Sequence, residues 1–214
     1  MEHLRPTGEP WRSDLAYRAT KRTLDVTVSL LALTLLAPVM AIVAVAIWLD
    51  DRRAPILFRQ RRCGLNGAPL QVLKFRTMVS NADELKEQLR CQSVVPWPDF
   101  RLVNDPRVTR VGRLLRKTSL DELPQLLNVL AGQMTLVGPR PTSFAACTYE
   151  PWQTGRLDFR PGLTGPWQVW GRTSMDFEQR CRAEIRFFRR RSILSELWIL
   201  LATVRAVAQR TGVT

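Results

Sequence analysis

The sequence predicts an α-rich α+β protein in which a re-entrant membrane helix hairpin precedes a small cytoplasmic domain with amphipathic surface helices. Three observations predict this fold class: an uncharged apolar run over residues 26–49, a proline in the middle of that run, and apolar stripes at helical spacing in the rest of the chain. We therefore expect a flexible lead-in over residues 1–20, a membrane helix over residues 21–50 and a globular domain over residues 51–214.

The apolar run is bounded by Asp25 and Asp50. As a straight helix it would extend roughly 36 Å, which is enough to cross a bilayer. It starts late and is followed by charged residues rather than a small-residue cleavage site, which disfavours a signal peptide. A core helix of a soluble protein remains an alternative, although it would be unusually apolar on all sides.

Pro38 predicts a kink at the middle of the run, because it removes one backbone hydrogen bond and clashes with the carbonyl of Thr34. Basic residues lie on both sides of the run: Arg18, Lys21, Arg22, Arg52, Arg53, Arg59, Arg61 and Arg62. Since basic flanks favour the cytoplasmic side, a helix that breaks at Pro38 and returns to the same face satisfies both ends. A straight span satisfies only one of them and is the less favoured alternative.

The charge of the chain predicts an anionic partner. Its 32 Lys and Arg residues against 19 Asp and Glu give a formal net charge of +13, which suits nucleic acid, a lipid headgroup surface or a phosphorylated small molecule. The cysteines, Cys63, Cys91, Cys147 and Cys181, are widely spaced and indicate neither a disulfide framework nor a zinc site. The only histidine is His3, so acid-base chemistry would have to come from carboxylates.

An Asp-Glu pair, Asp121 and Glu122, lies between a basic run and a Pro-Arg-Pro loop. Adjacent carboxylates repel an anionic substrate unless cations intervene, and nearby basic residues could supply them: Arg113, Arg116, Lys117 and Arg140. This grouping suggests phosphate chemistry. The pair also fits a structural interpretation, in which it marks the start of a helix. Ser119 to Glu122 matches a helix capping box. If Asp121 is the N-cap, Pro124 falls in the first turn, where proline is tolerated. The local sequence leaves both interpretations open.

The remaining pattern indicates a mixed globular domain. A strand is predicted over Leu70–Met78, a helix over Asn81–Arg90, and a further helix after Asp121 that ends near Gly132. A broad apolar face near the C-terminus comprises Ile193, Leu194, Leu197, Trp198, Leu201 and Val204. A membrane-surface helix and a core helix explain that face equally well.

A series of motifs in fixed order covers about residues 21–210. It comprises Lys21-Arg22 with Asp25, Pro55, Phe58, Gln60, Arg62 and Gly64, residues 74–78, 104–107, 109–112, 118–125, 137–141 and 160–165, and Gln168-Val169 with Gly171-Arg172. This series resembles the bacterial sugar transferases, the monotopic polyprenyl-phosphate phosphoglycosyl transferases that start exopolysaccharide, O-antigen or glycan assembly. Several motifs in the right order are far more specific than any one alone.

The resemblance implies an enzyme that moves a sugar-1-phosphate from a nucleotide diphosphate sugar to undecaprenyl phosphate. A UDP-hexose is the favoured donor, with UMP as the leaving group, because Trp167 to Arg172 is similar to hexose-transferring members. The resemblance places the nucleophile on Asp121, with a covalent phosphosugar intermediate and ping-pong kinetics, and makes Glu122 its partner. It implies Mg²⁺ as cofactor, held by Asp121, and a catalytic domain on the cytoplasmic face of the bacterial inner membrane with an anionic lipid surface as a further partner. Self-association stays open.

Basic and polar residues near the pair are candidates for substrate binding. Arg140 between Pro139 and Pro141 has a stiffened backbone, which suits bidentate contact with phosphate, although a surface turn arginine is the alternative. Weaker candidates for the same role are Arg76, Arg110 and Arg113, for which a solvated surface charge is an equal alternative. The substrate-binding loop is expected to include Pro139, Pro141, Gln168 and Arg172.

Two departures from the family pattern affect these expectations. Ala37 stands where the family commonly has a serine before the break proline, so a hydroxyl-to-backbone bond is missing there. Glu184 and Phe187 stand where an Asp and a Tyr are expected, which leaves Glu184 a doubtful second metal ligand. Residues 1–20 are also too few for the multi-helix N-terminal domain of larger relatives.

Two other classes of function compete with the transferase. A catalytically silent membrane-bound adaptor of a polysaccharide assembly complex would keep the same fold, but the intact Asp121-Glu122 pair argues against it. A nucleic-acid-binding module would explain the charge but not the apolar run, and the chain shows no zinc-finger or RNA-recognition signature. We therefore expect no nucleic-acid partner.

Overall fold

A computed structural model describes residues 15–93, 102–143, 146–170 and 175–209. Within these ranges the α-helices are α1 (Leu15–Asp50), α2 (Ala82–Gln88), α3 (Arg110–Thr118), α4 (Gln125–Leu130), α5 (Pro166–Trp170), α6 (Phe177–Arg189) and α7 (Ile193–Ala208). The strands are β1 (Leu57–Cys63), β2 (Pro69–Phe75), β3 (Thr135–Val137) and β4 (Gly162–Thr164). The α-rich part of the fold prediction is therefore confirmed.

Helix α1 begins at Leu15, before the predicted boundary at residue 21, and continues through Pro38 to Asp50 without interruption. The predicted hairpin is thus not confirmed and stays a prediction. Residues 1–14 of the predicted lead-in lie outside the described part of the chain. Among the described helices, α1 is long and apolar enough to cross a membrane, and most of its apolar stretch is not buried by the protein.

The globular domain holds α1 near both of its ends. Arg22 donates to the carbonyl oxygens of the last two residues of α4 at 2.7 Å each, which satisfies acceptors that a helix end leaves unpaired. Near the other end, Arg76 donates to the carbonyl oxygens of Ile47 at 3.4 Å and Asp51 at 3.0 Å. Apolar residues between these ends, such as Leu31 and Leu35, are exposed. The domain therefore contacts α1 near both ends and leaves much of its apolar surface uncovered between and beside these contacts.

Two small sheets position the loops of the domain. Strands β1 and β2 form an antiparallel hairpin in which Phe58 pairs with Lys74, while β3 and β4 pair in parallel. The chain passes closely between the residue after β3 and the first residue of β4: a Cβ added to Gly162 would lie 2.0 Å from the backbone nitrogen of Gly138. Glycine at this contact is therefore required to place the Pro-Arg-Pro loop, which begins at Pro139.

The main core lies between β2, α4, β3, α6 and α7. Its buried apolar residues are Leu70, Val72, Leu126, Val129, Met134, Leu136, Val137, Phe159, Phe188 and Ile199. The predicted strand and helices of this region are present, with α4 beginning after Pro124 and ending before Gly132, which has a positive φ of 75°. The sequence prediction missed β1, β3 and β4.

Helix α7 packs one face against the core, whereas its predicted contact with a membrane surface stays a prediction. Glu196 and Ile199 are fully buried, so one face of the helix belongs to the core. The other face leaves apolar side chains exposed: Leu194, Leu197, Trp198, Leu201 and Val204. The exposed residues follow one another at helical spacing, and residues three and four apart lie on the same side of a helix. They therefore form one face, opposite the face that packs on the core.

A buried polar cluster ties α1 to α7 and β3. Lys21 lies 2.9 Å from Asp25 and 2.7 Å from Glu196, and Tyr17 donates to Glu196 at 2.5 Å. Asp25 also accepts from the hydroxyl of Thr135 at 2.6 Å and from the next backbone amide at 3.1 Å. The two carboxylates are almost wholly buried, so the ammonium group of Lys21 is what makes their burial tolerable.

We expect Lys21→Met to destabilise the protein strongly, because it leaves two buried carboxylates without their shared cation. The cost should be about 3–5 kcal/mol, which lowers the melting temperature of the detergent-solubilised protein by on the order of 10 °C. Lys117→Met, at an exposed position on α3, is the matched control and should change stability by less than about 0.5 kcal/mol. Equal melting temperatures for the two variants would contradict the assignment.

Candidate active site

The Asp-Glu pair lies in a short 3₁₀ turn, Leu120–Glu122, between α3 and α4. Ser119 ends α3 in the left-handed conformation, with φ at 57°, so the chain turns immediately before the pair. No side chain caps the start of this turn or of α4. The capping-box interpretation is therefore wrong, and the carboxylates are available for another role.

Asp121 faces a cavity although its side chain is largely buried, with 9% of the residue exposed. Within the described part of the chain its carboxylate accepts no hydrogen bond. Burial, with a second contribution from the neighbouring Glu122 charge, raises the pKa of Asp121 to about 6, against the opposing charges of Lys74, Arg116 and Arg140. Asp121 is therefore mostly ionised at neutral pH. No hydrogen bond from the described residues restrains its carboxylate.

Glu122 has the opposite environment. It accepts from Nζ of Lys74 at 3.1 Å and from Nη2 of Arg140 at 2.8 Å. Burial alone would raise the pKa of Glu122, but the charges of Arg140 and Lys74 outweigh it and hold the pKa well below its usual range. Glu122 is thus a fixed anion that orients two cations beside Asp121.

The loop that carries Arg140 is held from behind by a buried ion pair. Glu184 accepts from the backbone nitrogen of Arg140 at 3.0 Å and lies 2.6 Å from Nη2 of Arg156. The same Nη2 atom donates to the carbonyl oxygen of Arg140 at 2.9 Å. Glu184 and Arg156 therefore clamp both backbone groups of Arg140, between Pro139 and Pro141, and leave its guanidinium to reach Glu122.

The cavity has a volume of about 530 Å³ and combines a basic wall with an apolar lip. The basic residues along it are Arg62, Lys74, Arg76, Arg116 and Arg140. The apolar lip follows α1 in the chain and consists of Ala54, Pro55 and Phe58. The volume lies in the usual range for a small-molecule site, and guanidinium and ammonium groups beside a carboxylate suit a phosphorylated ligand.

The structure brings only some of the predicted arginines to this cavity. Arg76 lies along it, but its guanidinium is also bonded to Asp51, whose Oδ2 is 3.4 Å away, and to the end of α1. Arg110 and Arg113 are exposed on α3 and are not among the residues that line the cavity. Arg116, one turn further, does line it and donates from Nε to Thr77 at 3.0 Å.

The predicted substrate loop is partly described. Gln168 is buried and lines the cavity, and its side-chain nitrogen donates to the carbonyl oxygen of Leu163 at 3.1 Å. Pro139 is buried and Pro141 is half-buried beside Arg140. Arg172 lies outside the described residues, so its predicted role is not addressed.

Sequence reasoning missed the site roles of Lys74 and Arg156. Lys74 had a usable signal in the spacing of β2. It stands two residues after Val72 and therefore shares a face of the strand with Val72 and, across the hairpin, with Phe58. Arg156 had no such signal: it is one of many arginines, and only its burial distinguishes it.

The described residues contain no group of three or more His, Cys, Asp or Glu side chains that could hold a metal ion. Glu184, the doubtful second ligand, is instead engaged by Arg140 and Arg156 behind the loop. The Asp121 carboxylate does suit Mg²⁺, which is commonly bound by one or two carboxylates with substrate phosphates completing its octahedron. The donor set thus fits a metal ion that arrives with a phosphorylated substrate.

Comparison with known proteins supports the resemblance found in the sequence. The sequence model described as "Bacterial sugar transferase" matches residues 16–210. The UDP-glucose:undecaprenyl-phosphate glucose-1-phosphate transferase of Caulobacter vibrioides is 43% identical over 94% of this chain and 73% of its own length. The exopolysaccharide production protein ExoY of Sinorhizobium fredii is 38% identical over 90% of this chain and 87% of its own length.

Several relatives are much longer than this chain. The undecaprenyl-phosphate galactose phosphotransferase of Salmonella typhimurium is 37% identical over 94% of this chain, but the match covers 44% of its own length. The chain thus spans less than half of the length of several curated relatives it matches. The family match nevertheless includes all the cavity residues named above, and the chain belongs to the bacterial sugar transferase family.

Proposed function

We propose that this protein is a phosphoglycosyl transferase that moves a sugar-1-phosphate from a nucleotide diphosphate sugar to undecaprenyl phosphate. The observation that carries the proposal is the carboxylate of Asp121, which faces a cavity with a basic wall and accepts no hydrogen bond from the residues that the structure describes. UDP-hexose is the proposed donor, which agrees with the glucose and galactose named for the relatives. The proposed role is the first membrane step of exopolysaccharide or O-antigen synthesis.

The proposed reaction has two displacements at one phosphorus atom. An oxygen of Asp121 attacks the phosphorus that carries the sugar, the bond from this phosphorus to the bridging oxygen breaks, and UMP leaves with the electron pair. An oxygen of undecaprenyl phosphate then attacks the same phosphorus, and the Asp121 carboxylate leaves. A carboxylate needs no deprotonation to attack at neutral pH, which suits a site without a histidine among its lining residues.

The cations beside Asp121 serve both displacements. Lys74 and Arg140 are oriented by Glu122, and Arg116 is oriented by Thr77, so their charges are in place before the substrate binds. Preorganised cations stabilise charge that develops on the transferred phosphoryl oxygens without further rearrangement. A Mg²⁺ ion held by Asp121 and the donor diphosphate would screen the repulsion between nucleophile and substrate.

The contacts at the two ends of α1 support a re-entrant membrane helix. Arg22 and Arg76 attach opposite ends of the helix to one highly charged domain, which cannot lie on both sides of a bilayer. We infer that the helix enters and leaves at the same face, and its basic flanks favour the cytoplasmic side of the bacterial inner membrane for that face. The exposed apolar face of α7 would lie on the anionic membrane surface beside it.

Labelling of single cysteines tests this topology. With the exposed Cys91 and Cys147 replaced by serine, Arg18→Cys and Arg53→Cys should both react with an impermeant maleimide only when it has access to the cytoplasmic face. Leu35→Cys, in the middle of α1, should stay protected by lipid. Labelling of the Arg18 and Arg53 positions from opposite faces would refute the re-entrant topology and leave the chemistry untouched.

A trapping experiment tests the chemistry. Incubation with UDP-glucose or UDP-galactose, without acceptor, should release close to one UMP per enzyme and place a phosphohexose adduct on Asp121, detected by peptide mass spectrometry. Asp121→Asn should lower UMP release by at least about 1,000-fold. Asp83→Asn, which removes an exposed carboxylate at the cavity rim, is the matched control and should retain release.

The trapping experiment also separates the proposal from the adaptor hypothesis. A screen of nucleotide sugars that yields neither UMP nor an adduct with any donor would favour a catalytically silent adaptor. An adduct on a residue other than Asp121 would keep the enzyme and overturn the assigned nucleophile.

Asp121→Asn should also stabilise the protein, because the buried charge is unfavourable. The raised pKa of Asp121, about 6 against an ordinary 3.8, means that above pH 6 the folded state carries the full cost of the ionised group, on the order of 3 kcal/mol. As the pH falls from 6 toward 4, the carboxyl takes up a proton in the folded state first, and this cost disappears.

The measurement is thermal unfolding in detergent with a chelator present. The Asp121→Asn protein should melt several degrees above the wild type at pH 7.5, with the gap closing toward pH 4.5. Asp83→Asn should show no such pH-dependent gap. A gap that is absent at pH 7.5, or that widens on acidification, would contradict the electrostatic account of the site.

A further inference from the structure

Phe58 is an exposed aromatic side chain in an otherwise charged edge of the hairpin. The residue is 43% exposed, and its neighbours on β1, Arg59 and Arg61, are exposed on the opposite face. Phe58, Gln60 and Arg62 alternate along the strand and all line the cavity. An apolar ring left open at a cavity lip indicates contact with an apolar part of a ligand.

The position of Phe58 relative to the reactive groups is fixed by the hairpin. Phe58 pairs directly with Lys74, and side chains of paired residues lie on the same face, with Cβ atoms roughly 5 Å apart. The ammonium group of Lys74 is 3.1 Å from Glu122, which adjoins Asp121 in sequence. A ligand that contacts the Phe58 ring with one group therefore has its neighbouring groups near Lys74 and the carboxylate pair.

The lip also lies next to the membrane segment. The last turns of α1 leave Val45, Trp48 and Leu49 exposed. Four charged residues, Asp50 to Arg53, separate them in the chain from Ala54 and Pro55, but Ile56 packs against the apolar cluster that contains Val43 and Ile47 of α1. The lip is therefore an apolar part of the lining that adjoins the end of α1, whereas Met78, Val79 and Trp167, which also line the cavity, belong to later segments.

A polyprenyl phosphate requires both features at once. Its phosphate must reach Asp121, while the isoprene units next to the phosphate leave the lipid and must contact apolar surface to avoid water. A UDP-sugar has one ring, the uracil, that can stack on an aromatic side chain, but its two sugars and its diphosphate are polar and gain nothing from apolar surface beside the membrane helix. An apolar lip next to α1 therefore suits the lipid acceptor better than the donor.

We propose that Phe58 is the acceptor-binding residue whose ring packs against the first isoprene units of undecaprenyl phosphate, which enters the cavity over the C-terminal end of α1. This inference rests on the proposed function and deepens it, because it assigns the apolar lip to the second substrate. The donor then relies on the rest of the lining, which includes the basic wall.

The two half-reactions test the inference separately. Phe58→Ala should leave the UMP burst from UDP-hexose unchanged within about twofold, while kcat/KM for undecaprenyl phosphate in the overall reaction falls by at least about tenfold. The loss should persist with geranyl phosphate, since the contact involves the first isoprenes. Phe58→Leu, which keeps an apolar side chain, should restore most of the acceptor efficiency.

Leu57→Ala is the matched control, because Leu57 is 41% exposed on the same strand but does not line the cavity. It should leave both half-reactions unchanged. A weaker or slower UMP burst in Phe58→Ala, with normal use of the acceptor, would overturn the inference and place the ring against the donor. Unchanged acceptor kinetics would also overturn it. Absence of UMP release by the wild type with every donor would instead overturn the proposed function, and this inference with it.

Discussion

The ion pairs of Glu122 hold the candidate active site together. One carboxylate accepts from Lys74 of β2 and from Arg140 of the loop after β3, and so joins three segments that are distant in sequence. The same contacts give two adjacent carboxylates different properties, since Glu122 is a fixed anion and Asp121 is left without a hydrogen bond among the described residues. Without Glu122, the two cations would repel each other, and the guanidinium of Arg140 would lose its partner while Glu184 and Arg156 still hold the backbone of the loop.

Local sequence predicted the Asp-Glu pair and, beside it, Arg140 and Arg76, which line the cavity. Of the arginines on α3 it favoured Arg110 and Arg113 for phosphate binding, yet α3 turns both toward solvent. The buried Gly112 and Leu115 define the inner face of that helix, and Arg116, four residues after Gly112, lies on it. Helical periodicity therefore indicates Arg116 as the α3 arginine that faces the cavity, and its position in the chain, nearer to Asp121 than Arg113 or Arg110, indicates the same residue.

The rest of the site and much of the fold could not be predicted because they depend on contacts between distant residues. Lys74 and Glu122 are separated by 48 residues, and Tyr17 and Glu196 by 179. Such pairs leave no periodic pattern, since each member is a single polar or charged residue in its own segment. The long apolar helix and the short strand β2 were predictable because their apolar residues recur locally. Strands β3 and β4 have three residues each, too few for an alternation to be recognised.

A covalent intermediate also fits the dimensions of the cavity. Its volume of about 530 Å³ suits one substrate of ordinary size better than a nucleotide sugar and a polyprenyl phosphate together. The two substrates differ sharply in polarity, and a single pocket cannot be complementary to both in the same place. If Asp121 holds the phosphosugar between the two steps, the nucleotide can leave before the lipid phosphate arrives. The basic wall then binds each phosphate in turn, and the separate apolar lip contacts only the substrate that comes from the membrane.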